Sequence, residues 1–172
     1  MFVIVHFFIP PNLNLLVLLF LNNIGYKFNN IELLFEAMTH SSYAHELKIN
    51  KIACNERMEF LGDAVLQIIS SDFLFKKYPD ILEGKLSKMR SSLVRESALY
   101  QCSKAINLGE FIMLGRGEEN CGGRTKPSVI ADAFEDIASL AGNEAESANG
   151  ISVVSRAYDE SKAYDAGRYK AY

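Results

Sequence analysis

The sequence predicts an all-α domain, and three observations carry that expectation. Apolar residues recur at helical spacing in several separate stretches, as in Ile31, Leu34, Phe35 and Met38, and again in Val129, Ile130, Ala133, Phe134, Ile137 and Leu140. Helix starts and stops sit where that periodicity needs them: Asn30, Asn55 and Pro127 at starts, Pro79 at a stop. The segment Asn55 to Leu66 also places Glu56, Glu59 and Asp63 within about 60° of one another at ~100° per residue.

At 172 residues, one domain is the default. A net charge of -3 and a pI near 5.7 give no broadly basic surface, so a polyanionic partner must be met by a local basic patch or through bound cations. Cys54, Cys102 and Cys121 are far apart and odd in number, which argues against a disulfide framework or a zinc site and fits a reducing, cytoplasmic setting.

Residues 1–23 contain no Lys, Arg, Asp or Glu, and Leu15 to Leu21 is one apolar run. Pro10, Pro11, Asn12 and Asn14 split the stretch into pieces too short for a membrane span of about 20 apolar residues. The basic start and cleavage site of a secretory signal are absent. An apolar extension folded onto the domain is preferred to a membrane anchor; a misassigned start would look the same.

The helical domain is expected over residues 24–141. Asn30 caps its first helix, and Thr39 to Tyr43 reads as a polar break in which His40 and His45 are surface or helix-end residues before they are ligand contacts. Asn55 is expected to cap the next helix, with Glu56 and Glu59 at the positive end of its dipole. That helix runs to about Tyr78, where Pro79 stops it. Its core stripe is read as Met58, Leu61, Val65, Ile68 and Ile69, with the acids opposite. Lys85, Lys88, Arg90 and Arg95 then make the most basic region, which alone is best read as a solvated helix face. Asn107 to Gly109 closes the following helix, and Gly115 to Arg124 is read as a glycine-rich loop that lacks the ending of a P-loop. Pro127 opens a helix with Asp132 and Glu135 on its outer side. Residues 142–172, rich in Ala, Ser and Tyr, are expected to be a loosely ordered tail.

Acid pairs at helical spacing repel one another and call for solvent, a basic partner or a cation. Hard cations prefer oxygen ligands. If the two acid-bearing helices pack, Glu59, Asp63, Asp132 and Glu135 converge, and one or two Mg²⁺ ions would serve phosphodiester chemistry. On spacing alone, solvated acidic faces are the stronger alternative.

The residues themselves resemble a known family. Asn55 to Leu66 is similar to the ribonuclease III signature NERLEFLGDAVL, with Met58 in place of a Leu. In register with it, Thr39 to Ala44 resembles THxSYA, and Glu83 to Val94 resembles EGxLSxxRxxLV. Gly115 to Arg124 resembles GxGEExxGGR, and Pro127 to Glu135 resembles PSILADAFE. The resemblance implies the helical ribonuclease III catalytic-domain fold and a homodimeric endoribonuclease, cutting double-stranded RNA in RNA processing. It implies Mg²⁺, with Mn²⁺ as substitute and no small-molecule cofactor, and staggered cuts leaving 5′-phosphate and 3′-hydroxyl ends with a short 3′ overhang.

By resemblance, Glu59, Asp63, Asp132 and Glu135 bind metal, with Asp63 and Glu135 catalytic. Glu56 and Glu83 are secondary acids, and Phe60 enters the partner subunit. Lys85, Lys88, Arg90 and Arg95 become candidates for RNA phosphates. The pattern departs after Glu135: Asp136 adds a fifth acid, the later residues are unlike the family's last helices, and the stretch that follows is too short and too little basic for the usual RNA-binding domain. Those departures keep open a non-catalytic RNA-binding dimerisation module, or a poorly folding fragment.

Overall fold

The structure, a computed structural model, describes residues 11–48 and 54–143. Among these residues there is no strand, only an isolated bridge between Thr39 and Met113. The order is α1 (Pro11–Ile24), α2 (Ile31–Ala37), α3 (Ser41–Glu46), α4 (Glu56–Lys77), α5 (Glu83–Leu93), α6 (Glu96–Ala105), α7 (Arg116–Asn120) and α8 (Pro127–Asn143). Short 3₁₀ turns stand at Leu108–Glu110 and Gly123–Thr125. The tail expected over 142–172 lies, beyond Asn143, outside the described residues, as do residues 1–10.

α8 is the axis of the domain. From Val129 to Ala141 its side chains are buried on every side, with Asp132 and Glu135 alone half-exposed. A helix apolar all round must be enclosed, and α4, α6 and α2 enclose this one. Pro127 starts it, where the missing N–H costs nothing. Phe134, Ile137 and Leu140 lie in the core with Leu34, Leu66, Leu99 and Leu108.

α2 is capped as its sequence requires: Asn30 Oδ1 accepts from the backbone N–H of Glu32 (3.0 Å) and Leu33 (3.2 Å). α1 buries Val17, Phe20 and Ile24 in the same core, and Phe20 packs on Phe111 with ring centroids 5.2 Å apart. Leu15, Leu18 and Leu19 face outward. No described helix is long and apolar enough to cross a membrane.

Three local expectations fail. The buried stripe of α4 is Gly62, Leu66, Ile69, Ser70 and Leu74, centred about 100° round the helix from the expected one; of the expected residues Ile69 is buried, Met58 and Val65 pack partly buried against the core, and Leu61 and Ile68 are exposed. The cause is Gly62. A Cβ there would overlap the backbone carbonyl of Glu135, so α4 lays its bare glycine against α8. That contact fixes the helix's rotation whatever its apolar count favours. The acids therefore flank the buried face instead of opposing it.

Asn55 does precede α4, but its side chain caps nothing there. The Nδ2 group donates instead to Asp136 Oδ2, at 2.7 Å in the interior. The glycine-rich stretch is also more ordered than a loop, for it contains α7 and a 3₁₀ turn. Arg124 ties it down: Nε pairs with Glu119 at 2.6 Å, and Nη1 donates to the carbonyls of Gly109 and Ile112, both at 3.0 Å.

Candidate active site

The α4–α8 crossing gathers the acids. Glu56, Glu59 and Asp63 occupy the first two turns of α4, on the side toward α8. Asp132 and Glu135 occupy the two breaks in the burial of α8. Because Gly62 touches the Glu135 backbone, Asp63 and Glu59 are brought to the same edge as Glu135.

The electrostatics report that proximity. Burial, followed by repulsion from Asp63, Asp132 and Glu59, pushes the Glu135 carboxyl up to about 7. Burial, then Asp132 and Glu56, raises Glu59. Burial and Glu96 raise Asp132, while His40 and Lys126 pull it back. Asp136, wholly buried, is pushed up to about 9 by burial first, then by Glu59, Asp132 and Glu135, against the hydrogen bond from Asn55. Each acid thus disfavours its neighbours' charge, the condition under which a bound cation is most favoured. Among the described residues, no three metal-capable side chains stand close enough, as placed, to enclose an ion. The donor chemistry, carboxylate oxygens partly shielded from water, nevertheless suits a hard divalent cation.

Other sequence-predicted residues fall elsewhere. Glu56 is exposed at the edge of the cluster. Glu83 accepts from Ser87 Oγ (2.7 Å) and lines a groove between α4 and α5, beside Gln67 and Ser71. The structure does not bring it to the other acids within one protomer. Arg90 braces that groove, donating from Nη1 to Ser71 Oγ at 3.0 Å, whereas Lys85, Lys88 and Arg95 are exposed. Phe60 is 85% exposed and heads an apolar stripe on α4 with Ile68 (70%) and Phe75 (73%). The Nδ1 atom of His40 accepts the Ser42 N–H at the start of α3, the expected helix-end role, and the ring stands near enough to Asp132 to lower it.

Sequence reasoning missed two contacts of the crossing. Gly62 carried a usable signal, since a glycine inside a helix costs roughly 1 kcal/mol and asks for a packing reason. The Asn55–Asp136 pair, 81 residues apart, left no signal that local spacing could reveal.

Comparison with known proteins places the crossing in context. A family model described as Ribonuclease-III-like matches residues 30–140. Ribonuclease 3 of Listeria monocytogenes is 49% identical over 115 residues, covering 67% of this chain and 50% of that protein. Ribonuclease 3 of Staphylococcus haemolyticus is 47% identical over 115 residues, covering 67% and 47%. The chain thus spans about half the length of these relatives. A solved structure of the nuclease domain of Campylobacter jejuni ribonuclease III, described for flexibility in a region involved in dimer formation, superposes with a TM-score of 0.74 at 37% identity. That match covers 83% of this chain and 95% of the other.

Proposed function

The chain belongs to the ribonuclease III family, and on that footing we propose that its α4–α8 crossing is the cleavage centre of a divalent-metal-dependent endoribonuclease acting on double-stranded RNA. The observation that carries this reading is the gathering of acids at one helix crossing, where Asp132 raises Glu59, and Asp63, Asp132 and Glu59 together raise Glu135. Glu59, Asp63, Asp132 and Glu135 would hold Mg²⁺, or Mn²⁺ in its place. Such a cation supplies Lewis acidity and charge neutralisation for phosphodiester hydrolysis.

The chain's own groups do the rest. Glu135, whose carboxyl burial and neighbouring acids push up to about 7 in the absence of metal, would release its proton on taking the cation. Asp63, on the exposed side of the pair, orients the site toward solvent and substrate. Lys85, Lys88 and Arg95 offer exposed cations for phosphates, while Arg90 acts chiefly as a brace. Phe60 and the stripe behind it suit burial against a second copy, and a homodimer would set two acid clusters along one duplex. Each would cut one strand, giving staggered cuts; attack of water at phosphorus with cleavage of the P–O3′ bond and protonation of the leaving 3′ oxygen would give 5′-phosphate and 3′-hydroxyl ends. Three cysteines spaced far apart in the sequence suit the reducing cytoplasm.

A second reading, an RNA-binding dimer that does not cut, is favoured by one observation: the acids do not enclose an ion as placed. Incubation with duplex RNA and Mg²⁺, beside an Asp63→Asn control, separates the two. Cleavage by the wild type alone is expected. A folded, dimeric wild type that retains duplex RNA without cutting it would establish the second reading.

A further inference from the structure

Three connections meet at Asn55. Its backbone N–H donates to the Thr39 carbonyl at 3.0 Å, and its own carbonyl accepts from the N–H of Met58 (2.7 Å) and Glu59 (3.0 Å). Its side-chain Nδ2 donates to Asp136 Oδ2 at 2.7 Å. Asn55 and Asp136 are both buried. The α4 turn that carries Glu56 and Glu59 therefore hangs from a residue fastened to α8 one position beyond Glu135.

The crossing has a second fixed point where Gly62 meets the Glu135 backbone. Those two points lie about two helical turns apart on α4. Together with Leu66 and Ile69 packed in the core, the two points hold the rotation and the slide of α4. Glu59 lies between them on α4, and Asp132 and Glu135 lie just before Asp136 on α8.

Stability alone would not select an aspartate here. A carboxyl in the interior is costly, and Asp136 Oδ1 has no hydrogen-bond partner among the described residues. Apolar replacements of buried charged groups are often neutral or stabilising. What the carboxyl supplies, and an apolar side chain cannot, is an acceptor for Asn55 at one defined place. We propose that Asp136 is a positioning residue, which through Asn55 fixes the first turn of α4 against α8 and so sets the spacing of the carboxylate cluster.

This inference rests on the metal-dependent reading for its consequence, but not for its geometry, and the test separates the two. Asp136→Asn and Asp136→Ala both remove the carboxyl, and only the asparagine can still accept from Asn55. Calorimetric titration of the full-length protein with Mg²⁺ is expected to show about tenfold weaker binding for Asp136→Ala than for Asp136→Asn. Equal affinities in two folded variants would overturn the proposal. Backbone NMR of the same samples reads the geometry without metal: the Glu59 amide resonance should move in Asp136→Ala and hold in Asp136→Asn. An unmoved Glu59 amide in Asp136→Ala would overturn the positioning role. If wild type binds no Mg²⁺, the cation reading fails, and the Glu59 amide decides the positioning claim by itself. Should circular dichroism show Asp136→Ala unfolded, Asn55→Ser breaks the same bond from the α4 side, and the same two readouts apply.

Discussion

α4 and α8 carry similar acid pairs in opposite settings. α4 buries one side and exposes an apolar stripe on another, so its acids ride the edge of a half-solvated helix. α8 is enclosed from Val129 to Ala141, and Asp132 and Glu135 are its only openings over that span. The contrast shows in the charges. Glu135 is held up to about 7 by burial and by three neighbouring acids, Asp63 of α4 first among them. An acid pair on a helix is ordinary; an acid pair that breaks the surface of a buried helix, facing a second pair, is a site. Rigid supporting elements are what a precise ligand set needs.

The contact between the helices should be the easiest thing to break. Gly62→Val drives a branched side chain into the Glu135 carbonyl. We expect a loss of about 3 kcal/mol or outright unfolding, read by urea denaturation. A near-normal midpoint would mean that the helices do not meet there.

Next in size is the chemistry of the buried partner. Glu135→Gln removes the acid on which Asp63, Asp132 and Glu59 all bear. Duplex-RNA cleavage should fall to near background while circular dichroism is unchanged, and retained cleavage would remove Glu135 from the site.

A smaller effect follows from the raised carboxyls. Glu135 and Asp136 hold protons more tightly folded than unfolded, up to about 7 and about 9. Their contribution to stability is full below the ordinary carboxyl range and is lost as pH climbs through those values. Metal-free protein should therefore melt at a lower temperature at pH 8.5 than at pH 5.5, and Asp136→Asn should flatten the difference. A higher melting temperature at pH 8.5 without metal would contradict the burial of these acids.

The smallest effect is expected on the exposed side of α4. Phe60→Ala should change protomer stability by less than about 0.5 kcal/mol, because the ring touches little of its own chain. Its effect should appear in sedimentation, as a shift from dimer to monomer. An unchanged dimer would leave Phe60 without an interface role.

Much of this contrast was legible in the sequence. Asn30 and Pro127 mark helix starts through local chemistry, and the inward residues of α8 follow their spacing because that helix is long, apolar and regular. The resemblance named the acids, and the crossing brings Glu59, Asp63, Asp132 and Glu135 together. What local spacing could not show is what tertiary contact decides. Apolar count put Leu61 and Ile68 inward on α4, but a glycine facing a backbone carbonyl turned the helix so that Leu66 and Leu74 are buried in their place. Asn55 is a good cap by type, yet a partner 81 residues away takes its side chain. The stretch from Gly115 to Arg124 looks like a loop because of its glycines, while Arg124 orders it by bonding to Glu119 within the stretch and to the carbonyls of Gly109 and Ile112 outside it.

The central claim is that the acids of the two helices act as one ligand set. Calorimetric titration with Mn²⁺ of wild type, Asp63→Asn, Glu135→Gln and the double variant tests it most directly. Wild type should bind, each single variant should lose most of that affinity, and the double variant should lose little more, because one set is broken either way. Independent, additive losses from the two substitutions, or Mn²⁺ binding that neither one changes, would contradict the account.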